Sequence, residues 1–256
     1  MNRIDLQYID MVKRVYEEGE KRETRNATTI STFGESFVFD LQYGFPILQC
    51  RKIYHKGIEA EFKGFLVDAK TVKMFKHLGC NYWDKWANDD GELVLDYPPR
   101  EQLDTVIDLL KTDPTNRRIM INLWDHKNLD NLSLPCCHYN YQFYVRDNTF
   151  LDMIWTQRSV DIAVGLPSDL VLAALYIITI ANEVDLKPGT CTMNFGDSHI
   201  YLDHVYDLMK IRDFESNIPS NPVSYELSST TKNFIPGDLV LPNYKPLGPV
   251  KFSLHG

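Results

Sequence analysis

The chain has 256 residues and a mass of 29.7 kDa, and 44% of its residues are hydrophobic while 24% are charged. This length corresponds to one large domain or two small ones, and the composition excludes general disorder. The formal net charge of −8 and a sequence pI near 5.4 argue against a broad basic face that coats nucleic acid, so no DNA binding is expected. A small anion in a local basic pocket stays compatible with this charge.

The predicted elements follow from the spacing of apolar residues, which is helical in some segments and alternating in others. In chain order they are a helix over 5–18, a strand over 37–41, a helix around 58–65, a helix over 103–110, strands over 119–123, 139–145 and 150–155, and a helix over 170–181. Gly165 to Ser168 is predicted as the turn into the last helix, and irregular structure with short strands is predicted after residue 214. One α+β domain over residues 1–256 is the simplest interpretation.

Cysteine spacing and hydropathy indicate the compartment. Five cysteines are odd in number and lack paired C-x-x-C spacing, so neither a disulfide framework nor a metal site is expected. The start of the chain shows no signal peptide, and the apolar run Leu170 to Ala181 has 12 residues whereas a membrane span needs about 20. We therefore expect no membrane contact and a cytoplasmic location, which is the host cytoplasm if the protein is viral.

The densest chemical feature is the segment Leu134 to Val145, which contains Cys136-Cys137-His138. A thiolate is the nucleophile of cysteine chemistry, and a nearby positive group lowers the pKa of a thiol. If the following residues form a strand, Cys137 lies at its entrance, where a side chain can face a cavity. The alternative is that both cysteines are small buried hydrophobic residues.

Four arginines could supply a phosphate site. Arg25 precedes Asn26-Ala27-Thr28, Arg117 and Arg118 follow Asp113-Pro114, and Arg158 precedes Ser159. The planar guanidinium fork suits a phosphate dianion, and a serine hydroxyl can add a further donor. For any one arginine alone, a solvated surface ion pair is the alternative.

Several ordered motifs together resemble the thymidylate synthase family along nearly the whole chain. They are Asn81 to Trp86, Cys137-His138 with Gln142 to Val145, Gln157 to Asp161 followed by Gly165-Leu166-Pro167, and Gly196 to Tyr201. The usual cysteine of the third motif is replaced by Val160. The resemblance implies a large mixed β-sheet with flanking helices that packs sheet to sheet in a homodimer. It also implies one-carbon transfer from 5,10-methylenetetrahydrofolate to C5 of a pyrimidine nucleotide.

The resemblance implies a role for each matching residue. For the chemistry it indicates Cys137 as the thiolate that attacks C6, Glu61 as general acid/base, and Tyr97 beside the nucleophile. For the nucleotide it indicates Gln157, with Arg25, Arg158 and Ser159 on the phosphate, Arg117 and Arg118 of the partner subunit, and His199 with Tyr201 on the 3′-hydroxyl. For the folate it indicates Asp161, Trp83, Trp86 and Gly165.

One departure bears on the substrate. Where the synthases carry an asparagine that pairs with the uracil edge, this chain carries Asp169. A carboxyl group can match cytosine, whose N3 accepts and whose 4-amino group donates, and the family's cytosine-specific members carry aspartate at this position. The alternative is that Pro167-Ser168-Asp169 begins a helix, with Ser168 as cap and Asp169 favouring the helix dipole.

The fate of the transferred carbon depends on whether hydride or water reaches it. Trp83, Trp86 and His138 keep the synthase pattern and favour methyl transfer. Ser168 in place of a phenylalanine, the segment Tyr97-Pro98-Pro99-Arg100 and the tail over residues 251–256 depart from it and favour hydroxymethyl transfer. The sequence therefore predicts a dCMP hydroxymethylase, ahead of a dCMP methyltransferase and a thymidylate synthase acting on dUMP. An inactive nucleotide- or RNA-binding homologue and a structural interaction protein are the alternatives from other classes.

Overall fold

The computed structural model describes residues 3–213 and 217–255. The helices are α1 (Arg3–Glu18), α2 (His55–Leu66), α3 (Val72–Leu78), α4 (Arg100–Thr112), α5 (Gly165–Glu183) and α6 (Val205–Asp213). The strands are β1 (Glu20–Glu23), β2 (Thr28–Phe33), β3 (Ser36–Asp40), β4 (Met120–Asn122), β5 (His138–Arg146), β6 (Phe150–Asp161) and β7 (Lys187–Tyr201).

The seven strands form one mixed sheet in the order β1-β2-β7-β6-β5-β4, with β3 also paired to β7. Strands β6 and β7 are parallel and are joined by α5, whereas every other strand pair of the described chain is antiparallel. A parallel pair requires a long crossover connection, which the 19-residue helix α5 supplies. The fold is thus the mixed α+β arrangement that the sequence predicts.

Most predicted elements are confirmed, with shifted ends. Helices α1, α2 and α4 and strand β5 cover the predicted segments, and α4 ends directly before Asp113-Pro114. Strand β3 ends one residue before the predicted segment does, and β4 is one residue shorter than predicted at each end. Strand β6 runs six residues beyond the predicted end because it stays paired with β7 up to Asp161, although its burial pattern ceases to alternate at Arg158 and Ser159. Residues 217–255 contribute only isolated bridges to the strand pairing, so the predicted irregular structure is confirmed there, whereas the prediction of short strands is wrong.

The prediction of a turn at Gly165 to Ser168 is wrong, because α5 begins at Gly165 and these residues form its first turn. The apolar run lies inside α5, and nearly all of that helix is buried between the sheet and α2. By length and composition α5 could cross a membrane, but 83% of its most apolar window is buried inside the protein, as in the core helix of many globular proteins. Burial of the run is therefore confirmed.

The other face of the sheet carries a row of apolar side chains without cover in the described chain. Strand register aligns Met120, Gln142, Ile154, Thr192 and Val38 across five strands. The three apolar members of the row are 39–43% exposed. A sheet face of this kind is typical of a surface that packs against another layer.

Candidate active site

Cys137 is the last residue before β5 and lies at the entrance of that strand, as predicted. Two neighbouring residues of the segment before α4 hold the backbone here. Asp96 Oδ1 accepts a hydrogen bond from the Cys136 N–H at 3.0 Å, and the Tyr97 hydroxyl accepts one from the Cys137 N–H at 2.9 Å. Cys136 is fully buried, whereas Cys137 is only half-buried. The interpretation as a buried hydrophobic residue therefore suits Cys136 alone.

Arg158 holds the same backbone from the opposite side. Its guanidinium donates to the carbonyls of Cys136 and Pro135 at 2.8 and 2.9 Å, and its own N–H donates to the Cys137 carbonyl. The guanidinium also lies over the Trp124 ring, 5.6 Å from the ring centre. The Arg158 side chain is thus held beside Cys137 by two backbone carbonyls and the Trp124 ring, and not by a surface ion pair with any described residue.

The thiol of Cys137 is protonated in this arrangement. Burial raises its pKa, while the charge of Arg158 and the Tyr97 hydroxyl lower it without cancelling the effect of burial. The positive neighbour that the sequence predicts is present, but its effect is smaller than the cost of burying a thiolate. His138 is also neutral at ordinary pH, because burial lowers its pKa to about 3.

Two buried carboxyl groups of this region, those of Glu61 and Asp169, have raised pKa values, and the charge of Asp169 acts on Glu61. Burial raises the pKa of Glu61, on α2, to about 8, and the charge of Asp169 contributes to this rise. Burial raises the pKa of Asp169, on α5, to about 7, while its hydrogen bond from Gln157 opposes the rise. Burial thus moves the pKa of Glu61 toward neutrality, which suits a group that transfers protons near neutral pH. Glu61 is only 9% exposed, so its side chain is largely shielded from solvent.

A three-residue relay fixes the orientation of Asp169. The Trp155 indole N–H donates to Gln157 Oε1 at 2.9 Å, and Gln157 Nε2 donates to Asp169 Oδ2 at 2.6 Å. An indole nitrogen can only donate, so it forces the amide of Gln157 to present its N–H₂ group to Asp169. A proton on Asp169 must therefore reside on the other oxygen, Oδ1.

The helix-start interpretation of Pro167-Ser168-Asp169 is wrong. Helix α5 begins four residues before Asp169, and no side chain of the described residues caps its N-terminus at Val164. Ser168 lies inside the first turn, and its hydroxyl points back to the Val164 carbonyl at 3.4 Å. The carboxyl group of Asp169 is buried and accepts a hydrogen bond from Gln157, and it does not bind the N–H groups at the start of the helix.

Residues expected for the folate lie around the turn into α5 and a nearby cleft. Asp161 Oδ1 accepts hydrogen bonds from the N–H groups of Ala163 and Val164 and so stabilises the turn, while Asp161 Oδ2 has no hydrogen bond to the part of the chain that the structure describes. Gly165 lies close to both Asp161 and Asp169, since an added Cβ would be 3.8 Å from one and 3.7 Å from the other.

The cleft itself has a volume of about 530 Å³ and is lined by Arg25, Trp86, Leu134 and Pro135, among others. Trp83 is buried behind Trp86, with ring centres 5.7 Å apart, and it also packs on Tyr97 at 5.5 Å. Arg25 is exposed and donates only to the neighbouring Asn26 within the described chain. The structure therefore brings Arg25 and the tryptophan pair to one cleft beside the nucleophile loop.

Ser159 and His199 lie on the parallel pair β6 and β7, where Ser159 pairs with Asp197 and Asp161 pairs with His199. His199 Nδ1 is 2.8 Å from Asp197 Oδ1, which lowers the pKa of Asp197. The Tyr201 ring packs edge-on against His199 at 5.1 Å. Both side chains thus have fixed positions at the end of β7.

The chain's C-terminal segment rests on this end of β7. The His255 ring stacks on Tyr201 at 4.1 Å, and His255 Nε2 lies 3.0 Å from Asp203. His204 Nε2 lies 3.0 Å from the Ser253 carbonyl and must donate there, because a carbonyl oxygen only accepts. Asp203, His204 and His255 are near enough to hold a metal ion, but hydrogen bonds already account for this cluster. Gly256, the last residue of the tail quoted above, lies outside the described residues.

Arg117 and Arg118 are the predicted site residues that the structure does not bring to Cys137. Both are exposed between α4 and β4, directly before the strand that begins the apolar row with Met120.

Sequence reasoning missed two residues that shape the site, Asp96 and Trp155. Asp96 directly precedes Tyr97, which the resemblance placed beside the nucleophile, and this adjacency could have indicated its role. Trp155 stands two residues before Gln157 on β6, and residues two apart on a strand share one face.

In comparison with protein families, the thymidylate synthase family model matches residues 6–255. The chain belongs to the thymidylate synthase family. Family membership implies a folate-dependent enzyme that transfers a one-carbon unit to a pyrimidine nucleotide, with methylenetetrahydrofolate as co-substrate, and its members are typically homodimers.

Proposed function

We propose that this member of the thymidylate synthase family transfers a one-carbon unit from 5,10-methylenetetrahydrofolate to C5 of dCMP and releases 5-hydroxymethyl-dCMP. The choice of cytosine over uracil rests on Asp169. Its pKa of about 7 means that a large fraction of the buried carboxyl group carries a proton at neutral pH.

The orientation of that proton supports cytosine recognition. Because Oδ2 of Asp169 accepts from Gln157, the proton resides on Oδ1, which can donate to cytosine N3. Oδ2 keeps a second lone pair that can accept from the 4-amino group. Uracil presents the opposite pattern, with an N3–H donor and an O4 acceptor. A buried polar edge that meets the wrong pattern discriminates strongly, since its groups are left unpaired.

The chemistry begins at Cys137. Its thiol gives its proton to solvent and the sulfur adds to C6, which turns C5 into a carbon nucleophile that attacks the folate's methylene. A proton donated by Asp169 to N3 favours this addition, because the ring then accepts the electron pair. The C5 proton must leave next, and Glu61, with a pKa of about 8, is the buried group suited to proton transfer near neutral pH.

The remaining substrate contacts are proposals of the same kind. Arg25, Arg158 and Ser159 hold the phosphate, and His199 with Tyr201 holds the 3′-hydroxyl. Trp83 and Trp86 form one wall for the pterin, Gly165 leaves space for it, and the free oxygen of Asp161 binds it. The cleft at Trp86 and the unoccupied oxygen of Asp161 fit a flat ring that carries amide-like donors.

Water is proposed to complete the reaction, because Ser168 and the tail depart from the pattern of the methyl-transferring synthases. It adds to the ring's methylene once the folate has left, and the Cys137 sulfur then leaves C6. Ser168 places a small hydroxyl side chain on the first turn of α5. The tail presents the polar ring of His255, stacked on Tyr201. The buried Trp83 favours hydride transfer instead, so 5-methyl-dCMP is the second candidate product.

The proposed assembly is a homodimer through the row of Met120, Ile154 and Val38 on the open sheet face. This packing brings Arg117 and Arg118 of the partner subunit toward the phosphate. Ile154→Glu should convert the dimer to a monomer in sedimentation analysis and abolish turnover. Tyr206→Glu is the control, since Tyr206 is 69% exposed on α6, and a monomeric wild type would refute the proposal.

Mass spectrometry of products formed from dCMP or dUMP tests the proposed function. Incubation with methylenetetrahydrofolate should add CH₂O to dCMP, while addition of CH₂ would identify the methyltransferase. Turnover of dUMP alone would refute cytosine recognition and leave a thymidylate synthase. Asp169→Asn should reverse the preference between the two nucleotides.

Release of tritium from the C5 position of labelled dCMP separates an enzyme from an inactive homologue. Cys137→Ala should abolish release, whereas the adjacent Cys136→Ala should retain it. No release from dCMP or dUMP with the wild type would contradict catalysis. A thermal shift with dCMP larger than with dUMP is expected, and no shift with either would favour a structural protein.

A further inference from the structure

The segment before α4 and the loop before β5 are joined by two consecutive hydrogen bonds. Asp96 accepts from the Cys136 N–H and Tyr97 accepts from the Cys137 N–H, so neighbouring residues hold neighbouring amides. Amides held in this way leave the loop little freedom to move the thiol. Tyr97 was singled out in the sequence, but Asp96 supplies the other half of this support.

Asp96 is also a charged group in a protected place. It is 8% exposed, and its Oδ2 is buried with no hydrogen-bond partner among the described residues. Burial raises the pKa of Asp96, while the hydrogen bonds from Cys136 and the charge of Arg158 oppose this rise. Arg158 contacts the carbonyls of Pro135 and Cys136 and not the carboxylate, so it does not neutralise Asp96 by a direct ion pair.

We infer that Asp96 is a positioning residue that fixes the loop of Cys137 through the Cys136 N–H, and that its negative charge, held one residue from the nucleophile, opposes formation of the Cys137 thiolate. This inference rests on the proposed function, because it takes Cys137 as the nucleophile.

The groups around the thiol act on its pKa in opposite directions. Burial is the main cause of the raised pKa of Cys137, and the charges of Asp169 and Asp96 raise it further, whereas Arg158 and the hydroxyl of Tyr97 lower it. Arg158 and Asp96 therefore act in opposite directions on the same sulfur. A thiol kept protonated resists alkylation and oxidation, since the thiolate is the reactive species.

Alkylation of the native protein by iodoacetamide, without nucleotide or folate, tests the electrostatic half. The extent of reaction at Cys137 is followed by peptide mass mapping from neutral to alkaline pH. Asp96→Asn keeps an oxygen acceptor for the Cys136 N–H and removes the charge. We expect its alkylation profile to move to lower pH, with a rate near neutrality about threefold to tenfold above the wild type, because each pKa unit changes the thiolate fraction about tenfold.

Two variants serve as matched controls. Glu101→Gln removes an exposed carboxylate that lines the same 270 Å³ cavity as Asp96, and it should leave the profile unchanged. Asp96→Glu keeps the charge and should stay near the wild-type profile. Cys191, fully buried on β7, reports on folding, since its peptide stays unmodified in any variant that keeps its fold.

An Asp96→Asn profile that coincides with the wild type would overturn the inference, as would an Asp96→Glu profile displaced as far as that of Asp96→Asn. The positioning half is measured by turnover of Asp96→Ala, which should lower kcat with little change in KM, while Asp96→Asn restores much of kcat. An unchanged kcat in Asp96→Ala would contradict it. Because alkylation needs no turnover, failure of the proposed reaction would leave the electrostatic result intact.

Discussion

Asp169→Asn should make the protein more stable at alkaline pH, although it removes a buried hydrogen-bonded carboxyl group. The folded state raises the pKa of Asp169 from 3.8 to about 7. At about 1.4 kcal/mol per pKa unit, ionising this group costs about 4 kcal/mol more in the folded protein than in the unfolded chain. The folded state holds the proton longer, so this contribution to stability is complete below the unfolded pKa and is lost as pH rises through the folded pKa.

About 3 kcal/mol of that loss falls between about pH 5 and about pH 8. Asparagine does not titrate and can still accept from Gln157, so the variant should escape this loss. The free energy of unfolding of Asp169→Asn minus that of the wild type should therefore rise by about 3 kcal/mol over this range. Glu61 contributes in the same direction, because the charge of Asp169 raises its pKa and the variant lacks that charge.

Urea unfolding at several pH values and one fixed protein concentration provides the measurement, since dimer stability depends on concentration. Asp108→Asn, at an exposed position of α4, is the control and should follow the wild-type pH dependence. Parallel curves for Asp169→Asn and the wild type would show that Asp169 does not bind a proton in the folded protein at these pH values. The argument for cytosine recognition by a protonated carboxyl group would then fail.

Three further variants test the site directly. Glu61→Gln cannot transfer the C5 proton, so tritium release should fall about a hundredfold or more while dCMP binding persists; release at the wild-type rate would rule out Glu61 as the base. Tyr97→Phe leaves the buried N–H before β5 without its acceptor, which should cost about 1–3 kcal/mol in urea unfolding, and an unchanged midpoint would contradict that bond. Trp155→Phe frees Gln157 to rotate its amide, so the preference for dCMP over dUMP in calorimetric binding should fall about tenfold. A preference equal to that of the wild type would show that Trp155 does not orient Asp169 through this relay.

The fold was predictable where apolar spacing is strong. Helix α1 and strand β5 follow directly from their patterns, and burial of Leu170 to Ala181 follows from composition. Strand β7 was not predicted, although Cys191, Met193 and Phe195 alternate with polar residues and are buried. Strand β1 could not be predicted, because all four of its residues are exposed and only its pairing with β2 defines it.

The site was predictable as far as motifs reach along the chain. Motif matching indicated Cys137, Glu61 and Asp169. In the structure the charge of Asp169 raises the pKa of both Glu61 and Cys137, so the three side chains lie in one region. The sequence could not show that burial outweighs Arg158 at the thiol, because desolvation depends on packing between distant segments. It also could not show that Asp96 meets Cys136, which lies 40 residues away.

The two hydrogen bonds from the Arg158 guanidinium to the nucleophile loop couple phosphate binding to alignment of the ring in the proposed reaction. Two donor groups of the guanidinium already donate to the carbonyls of the nucleophile loop. An incoming phosphate would find the remaining donors pointing out from a rigid scaffold, so docking of the nucleotide's far end and alignment of its ring become one event. Nucleosides, which lack the phosphate, would lose both affinity and alignment, and free inorganic phosphate would compete with dCMP without replacing it.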